Sequence, residues 1–338
     1  MNAAARKKIV AVLRLLVGLA LVSYILFARG EWQTFERFAA SMWLLPVLVV
    51  FGVAGTAIEA ARLRLLLASQ AIDLGFLQVC RLVVISFFFG VFMPGGAGGD
   101  IAKLYYLAKD FRGRTVEIAT VLLVDRLVGL FSLLSVALLL ALPTYELLGE
   151  LPVIRALVAM TVVTLSGLLV AAALSSSASL RRNRAYVWLI ARIPFSRYFQ
   201  RADDAMMAFR DHRPAVLRAV LLSAVGHVLM AFTFMLAGSV LVPDAPMWAT
   251  GFLAVLGMVA NGLPLTPGGL GVGEAAFEAL FAMIGADGGA GLMLAWRAAV
   301  LPLLVVGGLL YAAGGGSRGM SSAAFDGFAD TDEEGLQA

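Results

Sequence analysis

Charge is scarce in this chain. Only 14% of its 338 residues are Asp, Glu, Lys or Arg, against roughly 25% in an ordinary soluble domain. A soluble core could not hide the 61% of residues that are hydrophobic, so the composition points to the bilayer. Cysteine is nearly absent. The one Cys80 lies inside an apolar run, which excludes an intrachain disulfide. With two histidines and one cysteine, no usual zinc-ligand set can be assembled, and no metal or other cofactor is expected. Phosphate-binding loops are missing too. There is no G-x-x-x-x-G-K-[ST] and no proper G-x-G-x-x-G, so the sequence shows no ATP-driven energy source. No nucleophile–base pair stands out, no large extramembrane catalytic domain is present, and catalysis is not expected.

Long apolar runs are what the chain has instead. A crossing needs about 20 mostly apolar residues, and 9–27, 42–61, 115–142, 155–174, 217–242 and 291–312 qualify. The first follows Arg6, Lys7 and Lys8. It exceeds the usual core of a signal peptide and precedes no small-x-small cleavage site, so it reads as a permanent helix.

Lysine and arginine orient the spans. The N-terminus, the loop expected at Arg62 and Arg64, the stretch 100–114 and the connection 180–218 together hold 18 of the 26 basic residues. The other connections hold two arginines and six acids. The first set is expected in the cytoplasm, the second outside, with both termini cytoplasmic at a cell inner membrane.

Two glycine strings interrupt this pattern. "MPGGAGGD" ends at Asp100 and "TPGGLGVGE" ends at Glu274; their Pro-Gly-Gly breaks start at Pro94 and Pro267, 173 positions apart. Charge places 76–92 between two inside segments and 249–284 between two outside segments. Each stretch must therefore enter and return on one side, turning at Pro94, Gly95 and Gly96 or at Pro267, Gly268 and Gly269. Pro removes a donor and Gly holds a helix poorly, so the string ends a helix. Each half then reads span, span, re-entrant hairpin, span, with the second half inverted. Such repeats place broken helices about a central site in many transporters. The expected fold is an all-α polytopic integral membrane protein with six full spans and two re-entrant hairpins, about eight membrane segments. Residues 1–150 form the first repeat and 151–313 the second, with the Arg-rich connection 180–218 between spans and a disordered acidic tail at 314–338. The alternative is a pair of ordinary glycine-rich surface loops.

"FFFGVFMPGGAGGDIAKLYYL", "DRLVGL" at 125–130 and "NGLPLTPGGLGVGEAAFEAL" resemble the flippase-like family typified by the transmembrane region of lysylphosphatidylglycerol synthases. The resemblance runs from about Arg6 to Ala312. It implies a helical, polytopic protein that moves or handles lipids at a bacterial or archaeal inner membrane. It also implies the translocating part without the soluble aminoacyl-transferase domain of the best-known members. The lipid is left open.

Particular residues carry alternative readings. Gly98, Gly99 and Gly271 belong to the two strings. Asp100 is a helix N-cap or a contact for a headgroup or proton, and Lys103, three residues on, can hold a phosphate. Glu274 favours the positive end of its helix or acts in transport, with Glu278 one turn later. Asp125 and Arg126 point different ways on one helix, so each needs a partner elsewhere. Arg297 lies deep in the last span, where an arginine costs about 2.5 kcal/mol or more. Either it pairs with a carboxylate such as Glu274 or Asp125, or it captures an anionic headgroup. Arg81 and His227 are weaker candidates; a lone helical histidine is more often a satisfied polar contact. The aromatic and basic connection suits an anionic leaflet better than nucleic acid, and equally a plain inside loop. The partners expected are membrane lipids, anionic ones first. A carrier of small polar solutes and a lipid-modifying enzyme using Asp100, Asp125 or Glu274 as base are the other two readings.

Overall fold

The computed structural model describes residues 32–92, 97–175, 209–263 and 265–313. The span expected at 9–27, the turn residues Pro94, Gly95 and Gly96, most of the Arg-rich connection and the acidic tail lie outside the described residues. Among the described residues, ten α-helices and one 3₁₀ turn make up the regular structure: α1 Trp32–Ala40, α2 Leu44–Ser69, α3 Phe76–Phe92, α4 Ala97–Asp110, α5 Thr115–Leu148, α6 Pro152–Ser175, α7 Arg213–Leu241, α8 Met247–Asn261, α9 Val272–Ala282 and α10 Gly289–Ala313.

Five helices, α2, α5, α6, α7 and α10, are long and apolar enough to cross a membrane, and they coincide with the five expected spans inside the described residues. The shorter apolar helices α3 and α8 are the first arms of the two expected hairpins. Hydroxyls within the apolar helices fold back on their own backbone: Thr56 donates to the Gly52 carbonyl and Thr233 to the Leu229 carbonyl, at 2.8 and 2.7 Å. Those two hydroxyl protons are thereby paired within hydrocarbon.

Two boundaries differ from the sequence reading. Arg62 and Arg64 do not stand in a loop, because α2 continues to Ser69. Arg62 stays helical and nearly buried because a carboxylate on α5 meets it, as described below. Asp100 is not an N-cap, because α4 already begins at Ala97 and carries Asp100 in its first turn.

The packing has an internal correspondence. α2 packs along α7. Exchanging α2 with α7, α3 with α8, α4 with α9 and α5 with α10 carries the remaining contacts among these eight helices onto each other. The α3–α4 contact maps onto α8–α9, α4–α5 onto α9–α10, and α3–α10 onto α8–α5. The long helices also divide between two apolar cores. Leu44 and Leu48 of α2, Val136 to Ala141 of α5 and Ala231 to Leu241 of α7 surround α8 and α9. Ala60 to Leu67 of α2, Ile118 to Val128 of α5 and Ala219 of α7 surround α3 and α4. The two hairpins therefore pack at opposite ends of the same three long helices. Small residues allow the approach: a side chain at Gly307 of α10 would collide with the Val84 carbonyl of α3.

Candidate functional site

The second break is built between α8 and α9. Gly268, Gly269 and Gly271 all adopt the left-handed conformation, with φ of 58°, 69° and 77°. A Cβ at Gly269 would also collide with the Asn261 side chain and carbonyl, so only glycine serves there. A turn of this kind leaves carbonyls unpaired, at a cost of several kcal/mol each in hydrocarbon. Arg297 of α10 supplies the donors. It donates to the carbonyls of Gly268 and Gly269 at 3.0 and 2.9 Å and to Asn261 Oδ1 at 3.0 Å. Its Nε meets Glu274 Oε1, and Glu274 Oε2 accepts from the Gly271 N–H at 2.8 Å. Glu274 is fully buried, and Pro267 is buried beside it. Glu278 accepts a backbone N–H from Ala290 at 3.3 Å.

The first half carries the counterpart of that ion pair. Asp100, in the first turn of α4, meets Arg126 of α5, as Glu274 in the first turn of α9 meets Arg297 of α10. The environments differ. The Arg126 side chain is 50% exposed and Asp100 29%, whereas Arg297 and Glu274 are 22% and 0%. Gly98 and Gly99 are buried beside Asp100, and a Cβ at Gly99 would lie 2.9 Å from the Ser86 carbonyl. The small residues thus let α4 lie on α3.

Two further ion pairs adjoin it. Arg62 of α2 grips Asp125 of α5 with Nε to Oδ1 at 2.7 Å and a second nitrogen to Oδ2 at 2.8 Å. Its remaining nitrogen donates to Ser223 Oγ of α7 at 2.9 Å. Such a two-pronged bond offsets the cost of burying both charges. Lys103 is buried, with Nζ 2.9 Å from Glu59 Oε1 and 3.9 Å from Asp100 Oδ1. Asp125 and Arg126 thus each have a partner on another helix.

Several of these groups border one cavity of about 710 Å³. Glu59, Arg62, Asp100 and Lys103 stand on one wall, with Ser223 and His227 of α7 adjoining. Asn261, Gly268 and Arg297 stand on the other. Apolar residues such as Phe51, Val91, Met258, Leu270 and Trp296 fill most of the remainder. The two hairpins meet here, since a Cβ at Gly268 would sit 3.2 Å from the Val91 Cα near the end of α3. Among the described residues, no group of three or more His, Cys, Asp or Glu is placed to hold a metal.

Sequence reasoning passed over Glu59, Asn261 and Ser223 and placed Arg62 in a loop. Glu59 had a signal: it is an acid inside an apolar run, three residues before Arg62 on one helix face. Ser223 and Asn261 had none, because their role appears only once distant helices pack.

No curated protein and no solved structure is significantly similar to the chain. Residues 11–308 match the family described as the lysylphosphatidylglycerol synthase TM region. With that match over most of its length, and with five helices able to span a bilayer, the chain is a multi-pass membrane protein of the lysylphosphatidylglycerol synthase transmembrane-region family.

Proposed function

We propose that the protein is a flippase-like lipid transporter that carries an anionic or phosphate-linked lipid across the inner membrane, and that it is not an enzyme. The observation that carries this reading is the cavity between the two breaks. It is mostly apolar, as an acyl chain requires, and carries charged side chains, Glu59, Arg62, Asp100, Lys103 and Arg297, in its lining, as a headgroup requires. Irregular backbone at membrane depth is tolerated only when buried in protein or lining a wet cavity, and the second break does both.

The halves 1–150 and 151–313 act as inverted repeats in this reading, entering the membrane from opposite faces with both termini cytoplasmic. Support comes from the exchangeable packing and from the hairpins lying at opposite ends of α2, α5 and α7.

The residues then take unequal parts. Arg297 is occupied by Glu274, Asn261 and two break carbonyls, so it frames the second hairpin. Lys103 and Arg126 are the exchangeable cations. Their shared carboxylate, Asp100, lies within reach of both and accepts them again when the headgroup leaves. A phosphate that meets Lys103 trades one charge-assisted bond for another, which keeps binding reversible.

The test is reconstitution in liposomes with tail-labelled lipids, reading loss of inner-leaflet protection. Phosphatidylglycerol or a polyprenyl phosphate is expected to cross at least about tenfold faster than phosphatidylcholine. Equal rates with and without protein for every lipid would sink the proposal.

A further inference from the structure

We infer that the headgroup enters the cavity together with one proton, and that His227 takes that proton. The inference rests on the reading of the cavity as a site for an anionic headgroup. It goes beyond that reading by naming the coupled ion and its acceptor.

The first premise is charge balance. The carboxylates at the cavity or paired to its cations are Glu59, Asp100, Asp125 and Glu274. The cations are Arg62, Lys103, Arg126 and Arg297. Among the described residues the two sets are equal, and each member has a partner of opposite sign. An added phosphate monoanion therefore brings a negative charge with no counterpart. A buried, uncompensated charge is strongly unfavourable. One cation must come with it.

The second premise is the acceptor. His227 lines the cavity. Its Nδ1 is buried and has no hydrogen-bond partner among the described residues. The Ser223 backbone, one turn back, acts on the ring but makes no hydrogen bond to that nitrogen. In the neutral ring one nitrogen carries a proton and the other accepts one. Taking a proton from water gives an imidazolium with two N–H donors, one of them available to a phosphate oxygen. No covalent bond changes, and the proton leaves with the headgroup.

The surroundings explain why proton and lipid arrive together. From α2, Glu59 and Arg62 line the same cavity and act on the ring through their charge; Glu59 is committed to Lys103 and Arg62 to Asp125. From α4, Asp100 and Lys103 share the cavity, and from α10 so does Arg297, held by Glu274. α8 has no charged residue. A cation on the empty ring would face Arg62 with no unpaired anion nearby. The phosphate supplies that anion.

Calorimetry of the full chain in micelles tests this. Short-chain phosphatidylglycerol is titrated near pH 7 in buffers of different ionisation enthalpy. About one proton should be taken up per lipid bound, and affinity should fall with rising pH by up to about tenfold per unit. Binding to His227→Gln should take up none, while His212→Gln, which alters the other histidine, should keep the uptake. In that His212→Gln protein, His227 is the sole histidine. Its ring nitrogen resonances should move to imidazolium values when the lipid is added. That readout needs no change at the site. Binding without proton uptake, uptake that survives in a folded His227→Gln, or ring signals that stay neutral would each overturn the inference alone. If phosphatidylglycerol does not bind the wild type, the functional reading falls with it.

Discussion

Arg297 is the residue on which the second break depends. It gives donors to a carboxylate, an amide and two carbonyls at once. Arg297→Met removes them all and leaves Glu274 buried and unpaired, which should cost about 3–5 kcal/mol. The double change Arg297→Met with Glu274→Gln should recover part of that loss, because no bare charge remains. Unfolding midpoints of the singles and the double in detergent would measure the coupling; strictly additive losses would mean that the pair is not a unit. The chemistry of this site was partly legible in the sequence. An arginine deep in an apolar run demands a carboxylate, and Glu274 was a natural candidate. The break carbonyls were not legible as its other partners, because backbone acceptors leave no trace in side-chain patterns. Asp125 and Arg126 follow the same logic. Adjacent positions on a helix point apart, which told that each needed a distant partner but not that Arg62 and Asp100 would be the ones.

At the scale of elements, the fold depends on the second break touching the end of α3. A Cβ at Gly268 would lie against Val91, and both residues line the cavity with Leu270. Cysteines at Val91 and Leu270, in a protein whose Cys80 is replaced by Ser, should be bridged by a short bifunctional thiol reagent in membranes. No bridging at any reagent length below about 15 Å would contradict the contact. A separate test concerns the backbone of the turn. Gly269→Ala forces a side chain into a left-handed position occupied by Asn261. It should lower stability by about 1–3 kcal/mol and loosen the second hairpin before the first. Span positions were readable because hydrophobic length alone sets them. Ends were less readable. α2 runs eight residues beyond its expected stop, because Asp125 and Ser223 satisfy Arg62 inside the bundle, and charge on its own had marked a loop.

For the whole molecule, the proposed function makes the cavity lined by both halves the route of the lipid headgroup. In that reading the two halves are an inverted repeat, and the exchange of helix contacts between them supports it. A cavity shared by both halves has no signature in either half read alone. Gly55 offers a direct probe. It lines the cavity, and a Cβ placed on it meets nothing within 4 Å. A phenylalanine there should fill the route without disturbing the packing. Gly167 of α6 is equally open but does not line the cavity, so Gly167→Phe is its control. The decisive measurement is the rate of phosphatidylglycerol translocation in liposomes for wild type, Gly55→Phe and Gly167→Phe, each checked for insertion and monodispersity. Gly55→Phe should retain less than about one-tenth of the wild-type rate, while Gly167→Phe should retain nearly all of it. A folded Gly55→Phe protein that moves the lipid at the wild-type rate would contradict this route.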